Sequence, residues 1–181
     1  MNSTQWLLLA ALVICIFWMV GAHNRVVGLR AVIVEAWAQV DALLEQRGQV
    51  IHVLADALWD LWPTGRGSVD ALRSAQAQLQ AGVQAVRVRP PRAAAAASLA
   101  SAEAALNATV ARVLNQVEAD PALHAQETVA TQMLALFAFG PRLLEARQRF
   151  NQAGTAYNQA IGQFPTRLLA PVFRFEAAGT L

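Results

Sequence analysis

The three histidines, His23, His52 and His124, are the first residues to try as metal ligands or general bases, and their spacing favours neither role. They lie far apart in the chain, and none has a cysteine or carboxylate at the separation that a zinc or iron site uses. His124 and Glu127 share a helical face at i, i+3. That is half of a carboxylate-bridged metal motif, and alone it reads as a solvated pair. No nucleophile stands with a paired base, and no glycine-rich loop is built to cradle phosphate. The sequence therefore predicts no catalytic residue, no metal and no cofactor, with a metal-dependent hydrolase as a distant alternative.

The polar residues with more to say interrupt apolar stripes. Arg47 falls in a stripe that runs Val26, Leu29, Ile33, Ala36, Val40, Leu43, Arg47, Val50, Leu54, Ala57, Leu61. Arg147 falls in another, Leu143, Arg147, Phe150, Gly154, Tyr157, Ile161, Phe164, Leu168. Both step by three and four residues, as the seam of a helical bundle does. A guanidinium in such a seam needs a carboxylate or carbonyl partner, or must reach the edge. Phe150-Asn151, Tyr157-Asn158 and Phe164-Pro165 recur every seven residues, which puts the three aromatics on the seam and the two asparagines at its border. An amide there fixes register between helices. The second reading gathers Arg47, Arg147, Asn151 and Asn158 into a polar pocket for a small anion.

Charge excludes one large class of partner. The net charge is +2 on 181 residues, all 14 cationic side chains being arginine, and they are not clustered as phosphate tracking requires. Nucleic acid is not expected. The densest cationic spot is Arg87, Arg89 and Arg92, in RVRPPR. It reads as a surface loop, or alternatively as a dock for anionic lipid or an acidic partner. Glu35 and Asp41 read as solvated charges off the first seam.

Breaks in the chain delimit the elements. Trp6 to Ala22 is an uncharged run, WLLLAALVICIFWMVGA, bracketed by Trp6 and Trp18. It is at the lower end of what spans a bilayer. A cleaved signal peptide is the rival, but the leader carries no Arg or Lys and no A-x-A site succeeds the run. Arg25 and Arg30, on the C-terminal side of the span, place the C-terminal domain in the cytoplasm. No proline occurs before Pro63, so span and first helix form one rod of roughly 88 Å. PTGRGS, residues 63 to 68, turns the chain, with Ser68 as expected N-cap of a second helix carrying Val69, Leu72, Leu79, Val83 and Val86. RPPR ends that helix. A third carries Leu99, Ala102, Leu106, Val110, Val113 and Val117; Asp120-Pro121 starts a fourth, bent at Gly140-Pro141 and running to Pro165. Trp59 and Trp62 stand at the far end, as a cap buried under the third helix, with an exposed tip suited to protein contact as the alternative.

The motif F-N-x(5)-Y-N-x(5)-F-P-x(3)-L-A, from Phe150 to Ala170, resembles the C-terminal signature of the LemA family, with Arg147 three residues ahead as in that family. The segment HNRVVGLRAVIVEAWAQVDALLEQRGQVI is similar to another part of it, with Asn24, Glu35, Ala36, Trp37, Arg47 and Ile51 at matching places. The resemblance covers about residues 23 to 62 and 117 to 170. His23 and Phe150 depart from it, standing where the family favours tyrosine. Asp120 replaces a tyrosine, Gly140 a glutamate, and Ile51-His52-Val53-Leu54 lacks the family's proline and amide. The resemblance implies a bacterial membrane protein with one anchor, an antiparallel helical bundle and no agreed enzymatic activity.

The expected fold is thus all-α, an antiparallel four-helix bundle with an N-terminal single transmembrane helix. Residues 1–22 form the anchor, 23–170 the bundle and 171–181 a tail. The expected function is a non-catalytic scaffold or adaptor in the bacterial inner membrane. Lipid contacts residues 6–22, the C-terminal domain lies in the cytoplasm, and the protein partner or homo-oligomer is left open. Asn24, Trp37, Arg47, Arg147, Phe150, Asn151, Tyr157, Asn158, Phe164 and Pro165 are the motif residues.

Overall fold

A computed structural model describes residues 3–88, 93–164, 166–173 and 175–181. The order is α1 (Ser3–Leu61), a 3-10 turn (Pro63–Gly65), α2 (Arg66–Val88), α3 (Ala93–Glu118), α4 (Pro121–His124), α5 (Glu127–Gly162) and α6 (Thr166–Phe173). No strand occurs among the described residues. The double-proline break at 89–92 and Pro165 lie outside them.

With no proline to break its ladder, α1 is a continuous helix of 59 residues. Its N-terminal part is apolar enough and long enough to cross a membrane by length and composition, with a mean hydropathy of 2.2 over an 18-residue window and none of that window buried. The remainder of α1 packs along α5 and meets α2, and α2 packs along α3. The first seam is present from Val26 to Leu58, with Trp37, Leu44, Ile51 and Ala55 widening it. Leu61, expected to close it, is exposed, because the helix ends there and the chain turns away.

At the turn, Gly65 N–H donates to the Trp62 carbonyl at 3.0 Å. A Cβ on Gly65 would lie 1.9 Å from the Trp62 ring, so this turn admits only glycine unless the indole moves. Trp59 and Trp62 are partly buried against the core, and the guanidiniums of Arg66 and Arg73 each sit 4.9 Å from the Trp59 ring. The far end is therefore capped by cation–π contacts. The 3-10 turn flows into α2 at Arg66, whose backbone is already helical, so Ser68 lies inside α2 and is not its N-cap.

Asp120 caps α4 as its type and place predict, its Oδ1 accepting from Ala122 N–H at 3.0 Å and Leu123 N–H at 3.4 Å. The helix it starts lasts four residues. Gln126, in extended conformation, restarts the chain as α5. Pro141 sits inside α5, which continues through it. Leu143, Phe150, Gly154 and Tyr157 are buried on the predicted seam. Phe164 is not: it is 76% exposed, since α5 stops at Gly162 and the next seven-residue step leaves the helix. Its ring instead lies 5.6 Å from that of Trp18. The side chain of Leu168 lies outside the described residues.

Candidate functional site

Three helices bring charge into the core at one level. α1 supplies Arg47, α3 supplies Glu103 and, one turn on, Asn107, and α5 supplies Arg147. Side-chain exposure is 10% for Arg47, 7% for Glu103 and 26% for Arg147. Arg47 Nη1 lies 3.7 Å from Glu103 Oε1, and its Nη2 donates to Asn107 Oδ1 at 2.7 Å. Arg147 Nη2 donates to the same Oε1 of Glu103. Burial lowers the pKa of Arg47 from its ordinary value; burial first, and then the charge of Arg47, do the same to Arg147. Both stay cationic, because arginine starts far above neutrality.

One carboxylate serves two guanidiniums, so the cluster carries an excess positive charge, and the buried Arg147 Nε has no hydrogen-bond partner. A cavity of about 130 Å³ lies against Arg47, Asn107, Leu136, Gly140, Leu143 and Arg147. A second, of about 320 Å³, shares Arg47, Asn107 and Leu136 and extends past Phe137 towards Glu118. Chemically the arrangement holds three elements in register and offers a cationic wall to an anion. No group of three His, Cys, Asp or Glu able to hold a metal occurs among the described residues.

The four residues expected to share a pocket divide into two pairs. Arg47 and Arg147 meet at Glu103. Asn151 and Asn158 are elsewhere, bound to the chain's own C-terminal segment. Asn158 Nδ2 donates to the Ala178 carbonyl at 2.9 Å and its Oδ1 accepts from Ala178 N–H at 2.8 Å. Asn151 does the same with Leu181, at 2.7 and 2.9 Å. They fix the register of an extended segment, whereas the seam position suggested register between helices. Phe150 is fully buried with its ring 6.1 Å from that of Trp37, and Tyr157 is buried in the same core. Asn24 is exposed.

Other expectations shift as well. Asp41 is not a free solvated charge: Arg87 grips it through two hydrogen bonds of 2.7 and 2.8 Å and lies 3.5 Å from Glu45. The hydrogen bond to Asp41, and then its charge, raise Arg87 above its ordinary pKa. The cationic spot thereby loses Arg87 to an internal pair, while Arg89 and Arg92 lie outside the described residues. The His23 ring lies 4.7 Å from that of Phe173, tilted by 47°, and stacks with that of Phe175 at 6.0 Å. His52 lies 3.4 Å from Asp56 in an exposed pair.

Sequence reasoning missed Glu103 and Asn107. A signal for Glu103 existed: Leu99, Glu103, Leu106, Val110 and Val113 step by four, three, four and three, more regularly than a stripe through Ala102. The carboxylate that Arg47 and Arg147 demand was therefore in the third seam.

No curated protein matches the chain. The LemA family model matches residues 36–181, which takes in Arg47, Glu103, Arg147 and both asparagines. With that match covering most of its length, the chain belongs to the LemA family.

Proposed function

We propose that this protein is a single-pass, membrane-anchored scaffold or adaptor of the bacterial inner membrane, without catalytic activity, built as an antiparallel four-helix bundle. The observation that carries the reading is the continuity of α1. One unbroken helix is apolar and unburied over its first part, then forms a wall of the core as far as Leu58. A bilayer core of about 30 Å takes up roughly 20 residues of helix, and the rest projects the bundle from the surface without a flexible joint. Arg25 and Arg30, just after the apolar run, favour the cytoplasmic side for the bundle. The buried Arg–Glu–Arg cluster then acts as a register device between α1, α3 and α5.

C-terminal fusions to a periplasm-active phosphatase and to a cytoplasm-active fluorescent protein test the topology. Fluorescence without phosphatase activity is expected; the reverse would put the bundle in the periplasm. Purification from detergent that returned neither a partner nor a second copy would remove the scaffold role.

The excess positive charge beside the two cavities supports a second reading, a sensor of a small anion at Arg47 and Arg147. Titration calorimetry with inorganic phosphate or a small carboxylate should then show saturable binding that Arg147→Met abolishes. No heat at millimolar anion would dismiss it.

A further inference from the structure

Asn151 and Asn158 each treat one residue of the C-terminal segment as a neighbouring strand would. The side-chain amide donates to its carbonyl and accepts from its N–H, closing a pair of bonds to Leu181 and to Ala178. The spacing matches an extended chain. Seven residues of helix rise about 10.5 Å, and three residues of extended backbone advance about 10 Å. A helical or tightly turned segment would meet one asparagine and miss the other.

This recognition reads backbone, so it is indifferent to most side chains, and the groove adds the selectivity. Gly179, between the two clamped residues, is buried, and a Cβ there would lie 2.8 Å from Ala93 Cα and from Ala96 Cβ. Across the groove, a Cβ on Gly154 would stand 3.6 Å from the Gly179 carbonyl oxygen and 3.7 Å from Ala178 Cβ. The walls on α3 and α5 thus admit a small residue with glycine next to it. Ala178 and Leu181 pack on the core, while Ala177 and Thr180 are exposed. The ligand class is an extended peptide with a small residue and glycine in succession and an apolar residue two places on.

We propose that the Asn151–Asn158 groove is a binding site for extended peptide, and that its ligand in trans is the 175–181 segment of a second copy of this chain. That segment is the one whose fit is visible, and a second copy offers the same contacts, as exchange of an identical element between protomers does. In an isolated molecule the chain's own segment holds the groove at an effective concentration in the millimolar range. Exchange therefore takes over only where copies are crowded. The proposal supplies the scaffold reading with a partner and rests on that reading for the crowding alone; a test in detergent separates the two.

Two differently tagged full-length variants are mixed in detergent. Gly179→Leu cannot seat its own segment and leaves a vacant groove. Asn151→Ala/Asn158→Ala loses the clamps and frees its segment. The mixed pair is expected to co-purify at least ten-fold more than either variant with itself, and excess synthetic peptide of sequence FEAAGTL should release it. Far-UV circular dichroism confirms that each variant is folded. Should Gly179→Leu not fold, Gly179→Ala replaces it, with anisotropy of labelled FEAAGTL as the readout. A folded mixed pair that stays apart, or that associates no more than the self-pairs, overturns the proposal. So does labelled peptide that fails to bind the vacated groove, or that binds equally without the asparagines.

Discussion

Arg47 and Arg147 each bring a permanent cation into the helical core, and Glu103 is the carboxylate that both touch. A charge taken out of water is tolerable there only while its partner remains. Glu103→Ala leaves two neighbouring guanidiniums to repel each other, and loss of one member of such a buried group costs about 3–5 kcal/mol. Urea unfolding of the detergent-solubilised chain should show that loss. Replacing all three together, as Arg47→Leu/Glu103→Leu/Arg147→Met, is expected to leave stability equal or higher, because desolvation goes with the charges. If the triple variant is as unstable as the single, the cluster holds the core by more than charge pairing. Tyr157 allows a cleaner measurement, since it is the one tyrosine in the chain. Burial first, opposed by Arg30 and aided by Glu176, raises its phenol above the ordinary value. Above about pH 10 an unfolded chain has lost this proton while the folded one keeps it. The unfolded state then binds fewer protons, so stability falls as pH rises through that range and is unaffected below it. Phenolate absorbance should titrate above about pH 10, and Tyr157→Phe should remove that part of the alkaline slope.

Helical elements were legible in the sequence because their signal is local. Steps of three and four residues locate the faces of α1, α3 and α5, and Asp120-Pro121 marks a true helix start. The hidden features depend on partners distant along the chain. The spacing of Asn151 and Asn158 puts them correctly at the border of a seam, but an amide does not announce whether it faces a helix or an extended segment 20 to 30 residues on. Phe164 departs from its seam for the opposite reason: the heptad continues in the sequence after the helix has ended at Gly162. Ser68 resembles a cap because the 3-10 turn before it has no strong sequence mark beyond Pro63. Pro141 shows propensity overridden by context. It lies exposed within a continuous α5, lacking the N–H that the ladder would use. Since the packing of α5 on α1 carries the helix through it, Pro141→Ala should stabilise the chain by about 1–3 kcal/mol, up to the intrinsic helix penalty of proline. Thermal unfolding followed by ellipticity checks this. A loss of stability would mean that the core is shaped around a bend at that position.

At the scale of the molecule, one helix carries two kinds of surface, an apolar unburied one towards its N-terminus and one packed in the core beyond it. Most of the large apolar side chains exposed among the described residues lie between Trp6 and Val20, a concentration well beyond the scattered apolar surface of a soluble domain. The rest of α1 has an inward face as well buried as any in the core. If residues 6–22 are the anchor, the full chain should stay with membranes through alkaline carbonate washing. A chain begun at His23 should remain in solution without detergent, with its ellipticity per residue unchanged, because among the described residues the buried core begins at Val26. Among the described residues, the ring contact that such a truncation removes is that of Trp18 with Phe164. Two other results would each be decisive. A full-length chain released by carbonate would remove the anchor. A shortened chain that still pellets would shift attention to α5, where Leu134, Phe137 and Leu144 form a second exposed apolar stripe at helical spacing. Membrane contact would then run along the side of the helical body, and the rod would lie against the bilayer instead of standing out from it.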